Sequence, residues 1–205
     1  MLADLKITEF LDKTASGTAV PGGGSVAALN ASLAASLIEM VANLTIGKKK
    51  YESVDEEMQA IAALASEMRA ELVQSIDKDA AAYNEVMTAF KMSKESEPEI
   101  EQRSRAIQQG LKNAASVPLS VARDAYKIMA LAGKVIQKGN KNAVTDGAVG
   151  VMTARTAALA ALFNVKINLS SIKDEAFVDK LAGEVRELEG NIEKKEREIL
   201  SRVKL

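Results

Sequence analysis

Apolar positions in this chain step by three and four residues over long stretches, the spacing of one face of a helix. Between positions 53 and 91, Val54, Met58, Ile61, Ala65, Met68, Leu72, Ile76, Asp79, Tyr83, Met87 and Phe90 form one seam, like those of antiparallel bundles. Leu5 to Thr14 predicts a short helix with Ile7, Phe10 and Leu11 on one side. From Ser25 to Ile46, large apolar residues recur at 26, 29, 33, 37, 40 and 44, and alanines fill 27, 28, 31, 34, 35 and 42. Small residues around most of a helix admit neighbours on several sides, so this segment predicts a central helix or a subunit interface.

A further helix is predicted from about Pro98 to Lys138. Proline suits its first turn, and Gly139 closes it as a C-cap. Pro118 predicts a kink, because its ring clashes with the preceding turn and removes a hydrogen bond. Ala143 to about Phe163 reads as a second alanine-rich helix with glycines at 147 and 150. Asp174 to Val203 closes the chain with apolar residues at 178, 181, 185, 188, 192, 199 and 203. The pattern predicts an all-α fold over residues 1–205 as a single domain, a bundle of long antiparallel helices, one of them proline-kinked. It contains no repeat, low-complexity tract or linker.

Composition agrees with helices: 47% of the 205 residues are apolar, only 3% are aromatic, and three prolines occur. A net charge of −1 with both signs interspersed gives no reason to expect nucleic acid as a partner. Ala27 to Ile46 has nearly transmembrane length, yet Asn30, Ser32, Ser36, Glu39 and Asn43 interrupt it, which favours a buried helix over a membrane span. The N-terminus lacks a signal-peptide pattern, so a cytoplasmic protein is expected. Cysteine is absent, which excludes disulfides, thiolate metal sites and cysteine nucleophiles. Histidine is absent too, so a Ser-His-Asp triad is impossible. Acid–base chemistry near neutral pH falls to a carboxylate, lysine, tyrosine or the substrate's own groups.

Two polar helix starts stand out. Pro21-Gly22-Gly23-Gly24-Ser25 opens one alanine-rich helix, and Gly139-Asn140-Lys141-Asn142 followed by Asp146 opens the other. Consecutive glycines let a ligand approach the main chain, and free N–H groups at a helix start favour something polar or anionic. Ser25 is expected to cap its helix. Asp146 reads either as a first-turn residue favoured by the helix dipole or as a group acting on substrate.

The glycine run, the Lys48-Lys49-Lys50-Tyr51 turn, Asp79 with Tyr83, the Ala114-Ala115-Ser116-Val117-Pro118 run and the Asn140–Asp146 segment occur in register over nearly the whole chain. Together they resemble the formiminotetrahydrofolate cyclodeaminase family, which also includes methenyltetrahydrofolate cyclohydrolases. The resemblance implies an all-helical homodimer acting on a folate without metal or added cofactor. It also implies a separate formiminotransferase as functional partner if the chain serves histidine degradation.

On that footing Asp146 and Asp79 are the candidate proton carriers. Gly22, Gly23, Gly24, Ser25, Asn30, Lys48, Lys50, Tyr83, Asn140 and Asn142 are the candidate substrate contacts. Each has a structural alternative. Asp79 reads equally as an ion-pair partner of Lys78 or another cation. Tyr83 reads first as a core residue with its hydroxyl satisfied. Asn140 and Asn142 read as loop caps. Asn30, expected to be buried, needs partners and so either locks the glycine loop or touches ligand. The lysines form a solvated turn or, at a pocket mouth, attract the glutamate tail of a polyglutamylated folate. A non-catalytic helical interaction protein is the alternative outside enzymology; it leaves three glycines and a seam aspartate without a reason.

Overall fold

The computed structural model describes residues 1–204, and no strand occurs among them. Its helices are α1 (Ile7–Ala15), α2 (Gly23–Asn43), α3 (Asp55–Phe90), α4 (Glu97–Lys138), α5 (Val144–Leu169) and α6 (Glu175–Leu200), with short 3-10 turns at Leu2–Asp4, Lys49–Val54 and Lys141–Ala143. Helix ends follow local chemistry. Glu99 Oε2 accepts from the Ser96 and Glu95 N–H groups, both at 3.0 Å, and Pro98 sits in the first turn of α4. Asp174 caps α6 by accepting from Phe177 N. Gly139 ends α4, and Pro118 lies inside it with the helix continuing on both sides.

Neighbouring helices run antiparallel. Ser25 meets Asp79 while Glu39 meets Arg69, which fixes the direction of α2 against α3. Gly23 lies beside Asn164 and Gly150 beside Ile38, which does the same for α2 against α5. The α2 helix touches α3, α4 and α5, α4 spans α3 and α5, and α6 closes over α5 and α4. The α3 seam from Met58 to Ile76 is buried as its period predicts.

The α2 helix inverts the usual rule. Its alanines at 27, 28, 31, 34, 35 and 42 are fully buried, whereas Leu33, Met40 and Leu44 are exposed. Over most of this face, neighbours packed this closely leave room for small side chains, with Ile38 and Val41 as the larger buried residues. A β-carbon at Gly150 would come within 2.8 Å of Ile38 Cδ1, so α5 approaches α2 where only glycine fits. Ile38 and Val41 stay fully buried, while Leu33 and Met40 of α2 point outward. Beside them on α5, Val149, Met152, Phe163 and Ile167 are also exposed, the last two at 69%. The result is a long apolar face across α2 and α5, larger than scattered surface residues require. Both helices are long and apolar enough to span a membrane, yet about half of each such window is buried within the bundle. On α1 only Phe10 is buried; Ile7 and Leu11 face outward, against the expectation of one apolar side.

Candidate active site

The glycine run builds the start of α2. Gly22 is the N-cap residue and the helix begins at Gly23, so Ser25 is not a cap. It is instead fully buried in the first turn, its hydroxyl 2.9 Å from Asp79 Oδ2 and 3.0 Å from Ile76 O. A β-carbon at Gly24 would come within 2.5 Å of Asp79 Cγ, so the carboxyl rests directly against the glycine backbone. No other residue leaves it that place.

Burial pushes the Asp79 carboxyl above the ordinary aspartate range, and hydrogen bonds from the Ser25 side chain and backbone partly oppose the rise. No cation pairs with it, so the ion-pair reading does not hold among the described residues. Ser25 serves the carboxyl in both protonation states. It donates to the carboxylate, and when the carboxyl carries a proton the hydroxyl can accept it while donating to Ile76 O. Protonation thus leaves no buried polar atom unpartnered.

Above Asp79 and the glycines opens a cavity of about 440 Å³, within the range of small-molecule sites. Tyr83, Met87, Phe90 and Ile167 form its apolar wall, and Asn164 and Asn168 join Asp79 as polar lining. Tyr83 is therefore no core residue: it is 40% exposed and stands one turn beyond Asp79. The α3 seam changes role along its length, buried up to Ile76 and lining the cavity beyond it. Ala114, from the alanine run of α4, touches the same cavity.

The second polar helix start lies elsewhere. Asn140 is buried at the other end of α2, where its N–H donates to Thr45 Oγ1 and its Nδ2 to Leu44 O, both at 2.9 Å. Its Oδ1 accepts from Asn142 N at 3.1 Å, and the Tyr51 hydroxyl accepts from Lys141 N at 3.0 Å. These contacts tie the turn between α4 and α5 to the end of α2. Asn142, Lys48 and Lys50 are exposed, and Asp146 is half-buried in the first turn of α5. The 21 residues of α2 separate this cluster from the glycine start by about 30 Å. The chain thus does not bring its two polar helix starts together, and the lysine turn is not at the mouth of its own glycine-floored cavity. Asn30 is not buried either. It sits half-exposed on the outward face of α2 between Val26 and Leu33, its amide bonded to no other described residue. It does not lock the glycine loop.

Asn164 and Asn168 are invisible to the periodicity, which ends α5 near Phe163, whereas the helix runs on to Leu169. The signal for them is two asparagines one turn apart inside an otherwise apolar segment.

Fold and cavity define an all-α antiparallel bundle with a cavity of small-molecule size at one end, floored by glycine backbone and a half-buried carboxyl. The chain belongs to the formiminotransferase-cyclodeaminase family, whose profile matches residues 6–187. It is 36% identical over 190 residues to a methenyltetrahydrofolate cyclohydrolase of Methylorubrum extorquens, covering 93% of this chain and 90% of that protein. The formimidoyltransferase-cyclodeaminase of Rattus norvegicus is 32% identical over 87% of this chain, which spans 33% of that longer protein. The crystal structure of a formiminotetrahydrofolate cyclodeaminase from Thermotoga maritima superposes with a TM-score of 0.89 at 33% identity, over 99% of this chain and 98% of that one.

Proposed function

We propose that the protein is a folate one-carbon enzyme that converts 5-formiminotetrahydrofolate to 5,10-methenyltetrahydrofolate and ammonia. The observation that carries this reading is Asp79, a partly desolvated carboxyl that rests on Gly24 at a cavity of heterocycle size. In the reaction N10 attacks the formimino carbon on N5, and Asp79 as carboxylate takes the N10 proton. The proton then passes to the nitrogen of the former formimino group, which leaves as ammonia as its bond to carbon breaks. The product carbon remains as the amidinium bridging N5 and N10. Nucleophile and electrophile lie in one molecule, so holding them in attack geometry supplies much of the rate. A carboxyl with its proton affinity raised suits a shuttle that must both accept and return a proton. The electrophilic carbon already carries positive charge in the amidinium, so the proposed chemistry needs no metal or further cofactor.

The second reading is methenyltetrahydrofolate cyclohydrolase, favoured by the Methylorubrum relative that this chain matches over 90% of its length. There Asp79 would deprotonate the water that adds to the bridging carbon and then protonate the departing nitrogen.

The proposal extends to a homodimer through the α2–α5 face. An antiparallel two-fold pairing along α2 sets the glycine start of one copy against the lysine turn and Asp146 of the other, so each active site draws on both chains. Lys48 and Lys50 then stand where a polyglutamate tail leaves the cavity. A cytoplasmic protein working beside a separate formiminotransferase in histidine degradation fits this assignment.

The test is absorbance of methenyltetrahydrofolate with purified protein. Its appearance from formiminotetrahydrofolate, with one ammonia per turnover, is the expected result. Accelerated loss of supplied methenyl folate without the first activity selects the cyclohydrolase. Neither activity, with no binding of 5-formyltetrahydrofolate, overturns the proposal.

A further inference from the structure

Asn164 and Asn168 have committed their donors to the protein and kept their acceptors free. Asn164 Nδ2 donates to Ala160 O at 2.9 Å, and Asn168 Nδ2 donates to Asn164 O at 2.8 Å and Ala114 O at 2.9 Å. Carbonyl oxygens only accept, so the orientation of both amides follows from chemistry: a flipped amide would press oxygen against oxygen. What each presents is therefore its Oδ1. Neither oxygen accepts a hydrogen bond from another described residue, and neither is a sealed, unpartnered atom. Both residues line the cavity over Asp79.

The two sides of the cavity are close. A β-carbon at Gly23 would lie 3.4 Å from Asn164 Nδ2 and 3.7 Å from its Oδ1, while Gly24 carries the Asp79 carboxyl. Consecutive α-carbons are about 3.8 Å apart, so the asparagine amide and the carboxyl flank one dipeptide. The first-turn N–H groups of α2 have no partner within the helix and supply donors at the same place. The cavity thus combines amide acceptors on one side, backbone donors beneath, and a flat apolar wall of Tyr83 and Phe90. The pyrimidine edge of a reduced pterin has the complementary order: a carbonyl oxygen, the N3–H donor and the 2-amino donor.

We propose that Asn164 and Asn168 bind the pyrimidine edge of the substrate's pterin ring, their amide oxygens accepting from N3–H and the 2-amino group. Held there, the ring turns its N5 side towards Asp79. They are positioning residues, and the inference rests on the folate reading above.

The test is calorimetric titration with 5-formyltetrahydrofolate and with its 2-desamino analogue, on the full chain and on the N164A and N168A variants. The unaltered protein is expected to bind the analogue about 10-fold more weakly, the cost of leaving a buried acceptor unpaired. Each variant is expected to bind 5-formyltetrahydrofolate about 10-fold more weakly, and the variant that loses the partner of the 2-amino group to distinguish the two ligands by less than about 3-fold. N164A guards against a packing artefact, because Asn164 Nδ2 bonds only a carbonyl of its own helix. If the unaltered protein binds both ligands equally, or both variants discriminate as fully as it does, the inference fails and the folate reading stands. If the unaltered protein binds neither ligand, the folate reading falls with it.

Discussion

At the start of α2 the backbone of Gly22–Gly24 opens on a cavity with a half-buried carboxyl against it, whereas at its far end Asn140 is closed onto Leu44 and Thr45. Both ends look alike as sequence: a glycine, polar residues and an alanine-rich helix. They differ in what satisfies the polar groups. The asparagine end satisfies its own: amide to carbonyl, N–H to hydroxyl and Tyr51 to the turn. The glycine end leaves first-turn N–H groups and two amide oxygens facing a cavity. A polar motif with its hydrogen bonds completed internally is architecture, and one left open is a site. In one chain, then, Asn140 positions a turn, while beside it Lys48, Lys50 and Asn142 are exposed and Asp146 is half-buried, away from the cavity.

The largest effect is expected at the glycine end. Asp79→Asn keeps shape and the acceptor for Ser25 but cannot shuttle a proton, and should lower turnover about 100- to 10,000-fold with folate affinity retained. Turnover within 3-fold of normal would remove Asp79 from the chemistry. Gly24→Ala should be as damaging, because its methyl displaces the carboxyl.

Mixing tests whether the two ends meet between copies. If each site uses Asp79 of one chain and Asp146 of the other, D79N and D146N homodimers are both inactive. Subunits exchanged at equal amounts make half heterodimers, each with one intact site of two. Activity should then recover to roughly a quarter of normal. No recovery, with exchange verified by mass, would place both groups' action within one chain or remove Asp146 from it.

A smaller effect is expected at the lysine turn. Replacing Lys48 and Lys50 with alanine should raise KM for a pentaglutamyl folate about 5- to 10-fold at low salt and leave the monoglutamate nearly unchanged. Equal changes for both substrates would detach this turn from the tail.

The smallest is a stability signature. Burial raises the Asp79 pKa, so the stability carried by its protonated form is complete below the ordinary value of 3.8 and is lost as pH rises through the folded value. The D79N variant does not titrate. Its Tm relative to the unaltered protein should therefore rise from pH 4 to pH 8, by on the order of a few degrees. A Tm difference constant with pH would mean that burial does not perturb this carboxyl.

Much of this is legible along the chain. The α3 seam carries Asp79 and Tyr83 at helical spacing among apolar residues, and that spacing alone marks them as unusual. Ser25 is misplaced by sequence reasoning because a cap is recognised by residue type and position, and Gly22, with no side chain, holds the capping position instead. The asparagines of α5 escape it because apolar spacing fades where the helix continues.

The sequence by itself determined the all-α class and nearly every helix end, because period, caps and glycine or proline breaks act within a few residues of one another. Only the tertiary structure decided which face of α2 is inside, since burying alanine and exposing leucine depends on how closely α3 and α5 approach. It also decided that Ser25 and Gly24 meet Asp79, which lies 54 residues beyond Ser25, and that the two polar helix starts lie at opposite ends of the bundle. Those outcomes depend on contacts between distant segments, and the strength of a local pattern carries no record of them.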